Sequence, residues 1–211
     1  MNHLDIIVLI SAFAALLQIG GYFSYSRHVI GGNINPNTTT WIIWAFGSMF
    51  NCFSYIAASG DWVKELLPIA CAVSCIVTFF ICYMKDKFME PKAEYMILLV
   101  FDLLVTLIWW ETESAVYANL LYQISTIASF IPIFIEIKRD SKVERSEPWF
   151  IWSAAYLLLT LVVMVRLNSW IDIVYPLNCL VLHLAIGIIV RKSEMASKQS
   201  VPRKQMNIAL Q

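Results

Sequence analysis

The sequence predicts an all-α polytopic membrane protein with seven transmembrane helices, arranged as two parallel three-helix repeats joined by a linker helix (3+1+3). Of its residues, 59% are hydrophobic and 14% are charged, whereas soluble domains are about 45–50% apolar and about 25% charged. Seven apolar runs are each long enough, at roughly 17–25 residues, to cross a bilayer as a helix. Two short sequences, Trp41–Trp44 (WIIW) and Trp149–Trp152 (WFIW), are nearly identical although they lie in different thirds of the chain.

The seven apolar runs account for most of the chain and leave loops too short for a separate soluble domain. The predicted spans are residues 5–25, 41–59, 65–83, 95–110, 115–137, 149–166 and 171–190. The predicted organisation is a first repeat at 1–84, a linker helix within 85–113, a second repeat at 114–192 and a disordered cytoplasmic tail at 193–211. The tail is expected to be disordered because Ser, Lys, Arg and Gln dominate it.

Positive charges fall almost entirely on one side of this arrangement. Thirteen of the fifteen Lys and Arg residues lie on one side of the seven spans, and only Lys64 and Arg166 lie on the other. Short cytoplasmic loops carry an excess of Lys and Arg. The sequence therefore predicts a multi-pass protein of the cell membrane with its N-terminus outside and its C-terminus in the cytoplasm.

One constant shift, which places position 149 over position 41, aligns the first and last thirds of the chain without a gap. We call this alignment the repeat register. Its identities include rare residues: Trp41 with Trp149, Trp44 with Trp152, Trp62 with Trp170, Pro68 with Pro176, and Cys71 with Cys179. An odd linker helix between two three-helix units gives both units the same orientation. Parallel repeats of this kind occur in secondary transporters, where the substrate site lies at the repeat interface near the bilayer midplane.

The order of a three-helix unit, a linker helix and a second three-helix unit resembles the SWEET/PQ-loop superfamily. The segment most similar to the family pattern is SFIPIFIEIKRDSKVERSEPW at residues 129–149. Two departures are that Ile133, not glutamine, follows Pro132, and that Ser24 stands at the corresponding position of the first copy. The repeated tryptophan sequences also resemble, more distantly, the nicotinamide riboside transporters of the same fold. The resemblance implies the seven-helix architecture and a transport function.

Polar residues inside the predicted spans are the candidates for substrate binding. Trp44, Ser48 and Asn51 recur at helical spacing on one face of the second span, and Trp152 and Tyr156 form the matching face of the sixth. These faces either line a cavity or join helices by hydrogen bonds. In the SWEET family an asparagine on the third helix of each unit contacts sugar, and Asn178 is its nearest match. The predicted substrate-binding residues are Trp44, Asn51, Trp152, Tyr156, Asn178, Gln18 and Gln123.

Two further features carry alternative interpretations. Asp102 is the acidic residue deepest in a predicted span, which makes it a candidate for proton coupling. Some PQ-loop transporters use an aspartate in this way. The other interpretation is that Asp102 makes a structural hydrogen bond. Cys71 and Cys75 align with Cys179 and His183 in the second repeat. Three thiols and an imidazole suit a soft metal such as Zn²⁺ or Cu⁺, although small cysteines also allow close helix packing.

These patterns together predict an integral membrane transporter of a small polar solute (a sugar, an amino acid or a vitamin-like compound) working by alternating access. The alternatives are a membrane receptor or sorting protein that binds a ligand or peptide in the same cavity, and a soft-metal transporter. No Walker loop, HExxH or G-x-S-x-G motif is present, so no enzymatic activity and no cofactor are predicted. The predicted partners are the solute and the lipid bilayer, without nucleic acid; association of identical chains is left open.

Overall fold

The computed structural model describes residues 3–34, 36, 38–84, 93–139 and 144–208, and over these residues the chain is helical, with no strand. The all-α prediction is confirmed for this part of the chain. A four-residue 3₁₀ helix at Trp170–Ile173 leads into the last α-helix. The α-helices are α1 His3–Ile30, α2 Thr38–Ser59, α3 Trp62–Met84, α4 Ala93–Thr112, α5 Ala115–Ser129, α6 Ile131–Arg139, α7 Ser146–Val165 and α8 Val174–Ile208.

Within the described residues, six segments are long and apolar enough to cross a membrane, which supports a multi-pass membrane protein. Helix α4, which corresponds to the predicted fourth span, is not one of the six. The six segments are Leu4–Ile30, Thr40–Ser59, Trp62–Met84, Ala115–Arg139, Ser146–Val165 and Trp170–Ser197.

The helices turn apolar side chains outward and keep many polar ones inside. Lys64, Asn119 and Gln18 are fully buried. This distribution is the one expected when the surrounding solvent is lipid, because unpaired polar groups are costly in the hydrocarbon region. Large apolar side chains on the outer surface include Phe13, Leu16, Phe23, Phe53, Val77, Leu107 and Val181.

The link between α2 and α3 is a tight turn whose residues suit it. Gly60 adopts a positive φ of 61°, which is the usual way to end a helix because glycine has no Cβ to clash. Asp61 follows, and its carboxylate accepts a hydrogen bond from the Val63 N–H at 3.1 Å, as an N-terminal cap does. This turn places Asp61 and Lys64 at one end of the helix bundle.

The predicted fifth span, residues 115–137, is interrupted and forms α5 and α6. Pro132 has no N–H to donate to the preceding turn, and its ring crowds that turn. Just before it, the Phe130 N–H bonds to the Ile127 carbonyl at 3.3 Å, which is a 3₁₀-type spacing. The interruption sets Phe130 between the two helices, where it contacts the interior of the bundle.

Helix α8 continues to Ile208, whereas the sequence analysis expected a disordered tail from residue 193. Glu194, Met195 and Ala196 are good helix formers, and Glu194 is held in place because the Ser146 N–H and hydroxyl both donate to its carboxylate. Polar composition alone misses this contact. Residues 209–211 of the predicted tail, and residues 85–92 of the predicted linker segment, lie outside the described residues.

Helix α1 packs against α3 and α7, and α2 packs against α3 and α5. Helix α7 packs against α8, while α4 lies on the outside against α2 and α5. The turn at Asp61 contacts Arg166, which follows α7. We call this the Asp61 end of the bundle. The opposite end, where Glu144 precedes α7, is called the Glu144 end.

Candidate functional site

A cavity of about 60 Å³ lies in the middle of the bundle. It is bordered by α1, α2, α3, α5, α7 and α8, and α4 contributes nothing to it. The lining residues are Tyr22, Trp44, Ser48, Asn51, Cys71, Cys75, Tyr122, Thr126, Phe130, Trp152, Tyr156, Tyr175, Cys179 and His183.

Four of the seven predicted substrate-binding residues border this one cavity: Trp44, Asn51, Trp152 and Tyr156. Gln18, Gln123 and Asn178 do not line it, and each instead bonds to another residue of the predicted set. Gln18 donates to the Tyr156 hydroxyl at 3.5 Å, Gln123 donates to Asn51, and Asn178 donates to Gln123. The structure therefore gathers the predicted residues around one place, in two layers.

Ten of the fourteen lining residues form five pairs that the repeat register aligns. One member of each pair belongs to α1–α3 and the other to the segment from α5 to α8. Helix contacts show the same relation, because α1 lies against α7 as α2 lies against α5. The five pairs are Tyr22 and Phe130, Trp44 and Trp152, Ser48 and Tyr156, Cys71 and Cys179, and Cys75 and His183.

Trp44 and Trp152 are held in corresponding ways. The Trp44 Nε1–H donates to the Ser129 hydroxyl at 3.0 Å. The Trp152 Nε1–H donates to the Gln18 carbonyl at 3.3 Å, and its indole lies where a Cβ on Gly21 would overlap it. The repeat register also aligns Gly21 with Ser129. Small residues on α1 and α5 thus make room for the indoles of Trp152 on α7 and Trp44 on α2.

An amide network fixes the orientation of Asn51. The Asn51 Oδ1 accepts hydrogen bonds from Gln123 Nε2 at 2.9 Å and from Asn119 Nδ2 at 3.2 Å. Because two donors hold the oxygen, the Asn51 NH₂ group must be the other branch of the amide. That NH₂ group donates to none of the described residues, and Asn51 borders the cavity. It is therefore a buried donor available to a bound molecule.

The cavity wall is aromatic and carries no Asp, Glu, Lys or Arg side chain among its fourteen residues. The Tyr22 and Trp152 rings are 4.9 Å apart at 60°, and the Tyr156 and His183 rings are 5.0 Å apart at 38°. Aromatic faces of this kind stack on flat rings. A charged solute would find no compensating charge in this wall.

The four residues of the soft-metal alternative, Cys71, Cys75, Cys179 and His183, line the cavity without forming a coordination site. Among the described residues, no group of three or more His, Cys, Asp or Glu residues is placed to hold a metal ion. The His183 Nδ1 is instead bonded to the Cys179 carbonyl at 2.7 Å, and the Cys71 sulfur contacts the Tyr22 hydroxyl at 3.3 Å. The soft-metal alternative therefore has no geometric basis in this conformation.

The chain matches no protein-family model, no curated protein and no solved structure. Its function must therefore be argued from its own residues and contacts.

The Asp61 end is joined by ion pairs that the sequence analysis did not identify as a unit. Arg166 donates to both oxygens of Asp61, at 2.6 and 3.0 Å. The fully buried Lys64 ammonium lies 2.7 Å from Asp172. Burial raises the pKa of Asp61, but hydrogen bonds from Arg166 and the Val63 amide, together with the Arg166 charge, hold that pKa below its ordinary value. Lys64 and Asp172 are opposite charges at positions that the repeat register aligns, and this was the available sequence signal.

The Glu144 end is joined by a hydrogen-bonded aromatic cluster. Glu144 is 4% exposed, and its carboxyl group accepts from the Tyr25 hydroxyl at 3.2 Å and from the Trp149 Nε1–H at 3.1 Å. Tyr25 in turn accepts from the Trp41 Nε1–H at 3.2 Å. We call these four residues the Glu144 cluster. Trp41 and Trp149 belong to the two repeated tryptophan sequences, whereas no sequence pattern distinguishes Glu144.

Asp102 lies outside the cavity wall. It is fully buried on α4, and neither carboxylate oxygen has a hydrogen-bond partner among the described residues. Ser125 on α5 lies beside it, and the lining residue Tyr122 is the neighbour on the cavity side. Proton coupling through Asp102 stays a prediction, and any effect on a solute in this conformation has to pass through the neighbouring helices α2 and α5.

Proposed function

We propose that the protein is a membrane transporter of a small, uncharged, ring-shaped polar solute, which it moves by alternating access through the central cavity. The observation that carries the proposal is the composition of the cavity wall. Aromatic residues from the first and last thirds of the chain surround the Asn51 NH₂ group, which has no acceptor among the described residues. None of the fourteen lining residues is Asp, Glu, Lys or Arg. Rings stack on aromatic walls, and a hydroxyl, carbonyl or ring nitrogen can accept from Asn51.

The same pairs support two parallel three-helix repeats with α4 as the linker. The first repeat is α1–α3, and the second is α5–α8, in which α5 and α6 together form one interrupted span. Residues at equivalent positions of the repeat register border the same cavity, as a pseudo-twofold axis through it would require. In transporters built from repeats, substrate sites lie at such an axis, and movement of one repeat against the other exposes the site to each side in turn.

In the present conformation the cavity is too small for such a solute. Its volume of about 60 Å³ would hold roughly four water molecules, whereas ligand sites are typically about 300–1,000 Å³. Binding therefore requires the repeats to separate. Contacts between the repeats exist at both ends, through the ion pairs at the Asp61 end and through the Glu144 cluster, and each is a candidate gate.

We place the N-terminus outside and the C-terminus in the cytoplasm of a cell membrane. The Glu144 end carries Arg27, Lys138, Arg139 and Arg191, whereas Lys64 and Arg166 at the Asp61 end are both ion-paired with aspartates. An excess of basic residues on one side is typical of the cytoplasmic face. The Glu144 end would then face the cytoplasm.

The test is a binding screen followed by a flux measurement. Purified protein is heated with neutral ring compounds (hexoses, nucleosides and heteroaromatic amides) and with charged amino acids as a comparison set, and the compounds that raise the melting temperature are assayed for uptake into proteoliposomes. Asn51→Ala should weaken binding of a stabilising compound by about 1–3 kcal/mol, the cost of an unmatched buried polar group. Thr126→Val is the control, because the Thr126 hydroxyl already donates to the Tyr122 carbonyl.

Each outcome separates the alternatives. Stabilisation and uptake, both weakened by Asn51→Ala, support the transporter. Specific binding without uptake would favour a receptor or sorting protein that uses the same cavity. A preference for the charged compounds, or binding that is indifferent to both Asn51→Ala and Trp152→Ala, would refute the site.

A further inference from the structure

The Glu144 cluster joins the two proposed repeats through a single carboxyl group. Trp149 belongs to α7, in the second repeat, while Tyr25 and Trp41 belong to α1 and α2, in the first. Trp41 and Trp149 occupy equivalent positions of the repeat register. Their two indole N–H groups converge on Glu144, one directly and one through Tyr25. Separation of the repeats at this end has to break at least one of these bonds and admit water to Glu144.

The groups that surround Glu144 do not compensate a negative charge. Its hydrogen-bond donors, Tyr25 and Trp149, are neutral, and no Lys or Arg of the described residues forms an ion pair with it. Among the described residues, the titratable groups that face it are Tyr25 from α1, Cys82 from α3 and Glu136 from α6. Burial, with a smaller contribution from nearby Glu136, raises the pKa of Glu144 to about 8 against the lowering effect of the two hydrogen bonds.

We propose that Glu144 is a proton-binding site of this protein, which holds a proton while the Glu144 cluster is closed and releases it when this end of the bundle opens to water. The proton moves between the Glu144 carboxyl group and water, and no other bond is made or broken. The release step depends on the alternating access proposed above. The protonation of Glu144 in the closed protein does not.

The direction of the pH effect follows from the two states. In the closed state, with a pKa of about 8, Glu144 is about 90% protonated at pH 7, whereas an exposed glutamate with a pKa of about 4.3 is almost fully ionised. Low pH therefore favours the closed state. As the pH rises from the exposed value to about 8, the ratio of closed to open protein should fall by about tenfold for each pH unit.

The first measurement needs no transport. Infrared difference spectra of the purified protein, recorded as the pH is raised from 5 to 9, should show loss of a protonated carboxyl band with a midpoint near 8. Glu144→Gln should remove that component. Glu147→Gln is the matched control, since Glu147 lies three residues away, is exposed, and pairs with His28 and Ser24. Trp149→Phe removes a donor that favours the ionised form, so it should move the midpoint to higher pH.

The second measurement reports opening. Cys82 is fully buried beside the cluster, so a maleimide reaches it only when this end opens. A chain in which Cys82 is the single cysteine is labelled between pH 5.5 and 8.5, with and without Glu144→Gln. The single-cysteine chain that carries Glu144→Gln gives the intrinsic pH dependence of the thiol reaction. The labelling rate of the chain with Glu144, divided by the rate of the chain with Glu144→Gln, should rise about tenfold per pH unit below the midpoint of the carboxyl titration.

The outcomes distinguish this proposal from the transport proposal. If Glu144→Gln leaves the carboxyl band of the folded protein unchanged, the proton site is refuted whether or not a solute is transported. If the band titrates but the labelling ratio is independent of pH, the proposed release of the proton on opening is refuted. If the band titrates near pH 8 and labelling follows it, the proton site stands even when no tested solute crosses the membrane.

Discussion

The buried ion pair at the Asp61 end allows a quantitative test of how the two proposed repeats are held together. The Lys64 ammonium is fully buried and lies 2.7 Å from Asp172, whose side chain is 5% exposed, and its next acidic neighbour, Asp61, is 4.0 Å away. Asp172→Asn keeps the size of the side chain and an oxygen for the Asn168 and Ser169 N–H groups, which bond to it now. Lys64→Met keeps the aliphatic stem. The two changes therefore remove charge and little else.

The expected magnitudes follow from the burial of the pair. Removing one partner of a buried pair typically costs about 3–5 kcal/mol, because the remaining charge is left without compensation, whereas removing both is often close to neutral. We expect each single variant to lose about 3 kcal/mol of unfolding free energy. The double variant should lose about 2 kcal/mol and not be neutral, because the introduced amide is left facing a methionine without a partner. The interaction free energy of the cycle is then about 4 kcal/mol.

The assay is equilibrium unfolding of the wild type, the two single variants and the double variant in mixed detergent micelles, followed by tryptophan fluorescence. Arg166→Gln is the comparison, because the Arg166 side chain is 25% exposed and a partly solvated pair should contribute only about 1 kcal/mol. If the effects of Lys64→Met and Asp172→Asn add within about 0.5 kcal/mol, the two groups do not interact as described. The Asp61 end would then be held by the Arg166–Asp61 pair and by apolar packing.

Gly21→Ala should destabilise the protein by about 1–3 kcal/mol, the usual cost of overpacking, since the added Cβ would overlap the Trp152 indole. Gly20→Ala is the control and should be tolerated, because its Cβ would meet nothing within 4 Å. Equal melting temperatures of the two variants would contradict this packing. A reporter fused to the C-terminus should be active only in the cytoplasm, and a tag at residues 111–113 should be reached from outside; an external C-terminus would overturn the proposed orientation. Asp102→Asn should abolish uphill accumulation and spare exchange if Asp102 couples transport to protons, and unchanged accumulation in folded protein would leave Asp102 a structural residue.

Sequence patterns predicted the local features of this fold because those features depend on local chemistry. Long apolar runs become helices wherever lipid surrounds them, so most helix positions agree with the predicted spans. The repeat register pointed to Trp44 and Trp152 because equivalent positions meet at the cavity. Ser48, Asn51 and Tyr156 followed from helical spacing, since one face of an α-helix recurs every three or four residues.

The remaining features depend on contacts between distant residues, which a single sequence does not display. Asn178 is a predicted solute-binding residue because it is the nearest match to the SWEET-family asparagine, but in the structure it bonds to Gln123 and does not line the cavity. Helix α8 runs past residue 192 because Ser146, far earlier in the chain, binds Glu194. In the sequence, Glu144 is one of several charged residues in a polar loop. Only the structure shows that the Tyr25 hydroxyl and the Trp149 indole N–H both donate to its carboxyl group.

The two repeated tryptophan sequences link the cavity to the Glu144 cluster. In each, the first indole belongs to the cluster and the second borders the cavity, and the two rings touch: Trp41 and Trp44 are 5.6 Å apart, and Trp149 and Trp152 are 5.2 Å apart. A solute large enough to widen the cavity must displace Trp44 and Trp152, and through them the donors that hold Glu144. Solute binding and protonation then affect each other equally, as linkage requires. A solute that opens the Glu144 end should bind more tightly as the pH rises toward 8, and Glu144→Gln should abolish that pH dependence. If the affinity depends equally on pH in the wild type and in Glu144→Gln, the cavity and the Glu144 cluster are not coupled through the tryptophans.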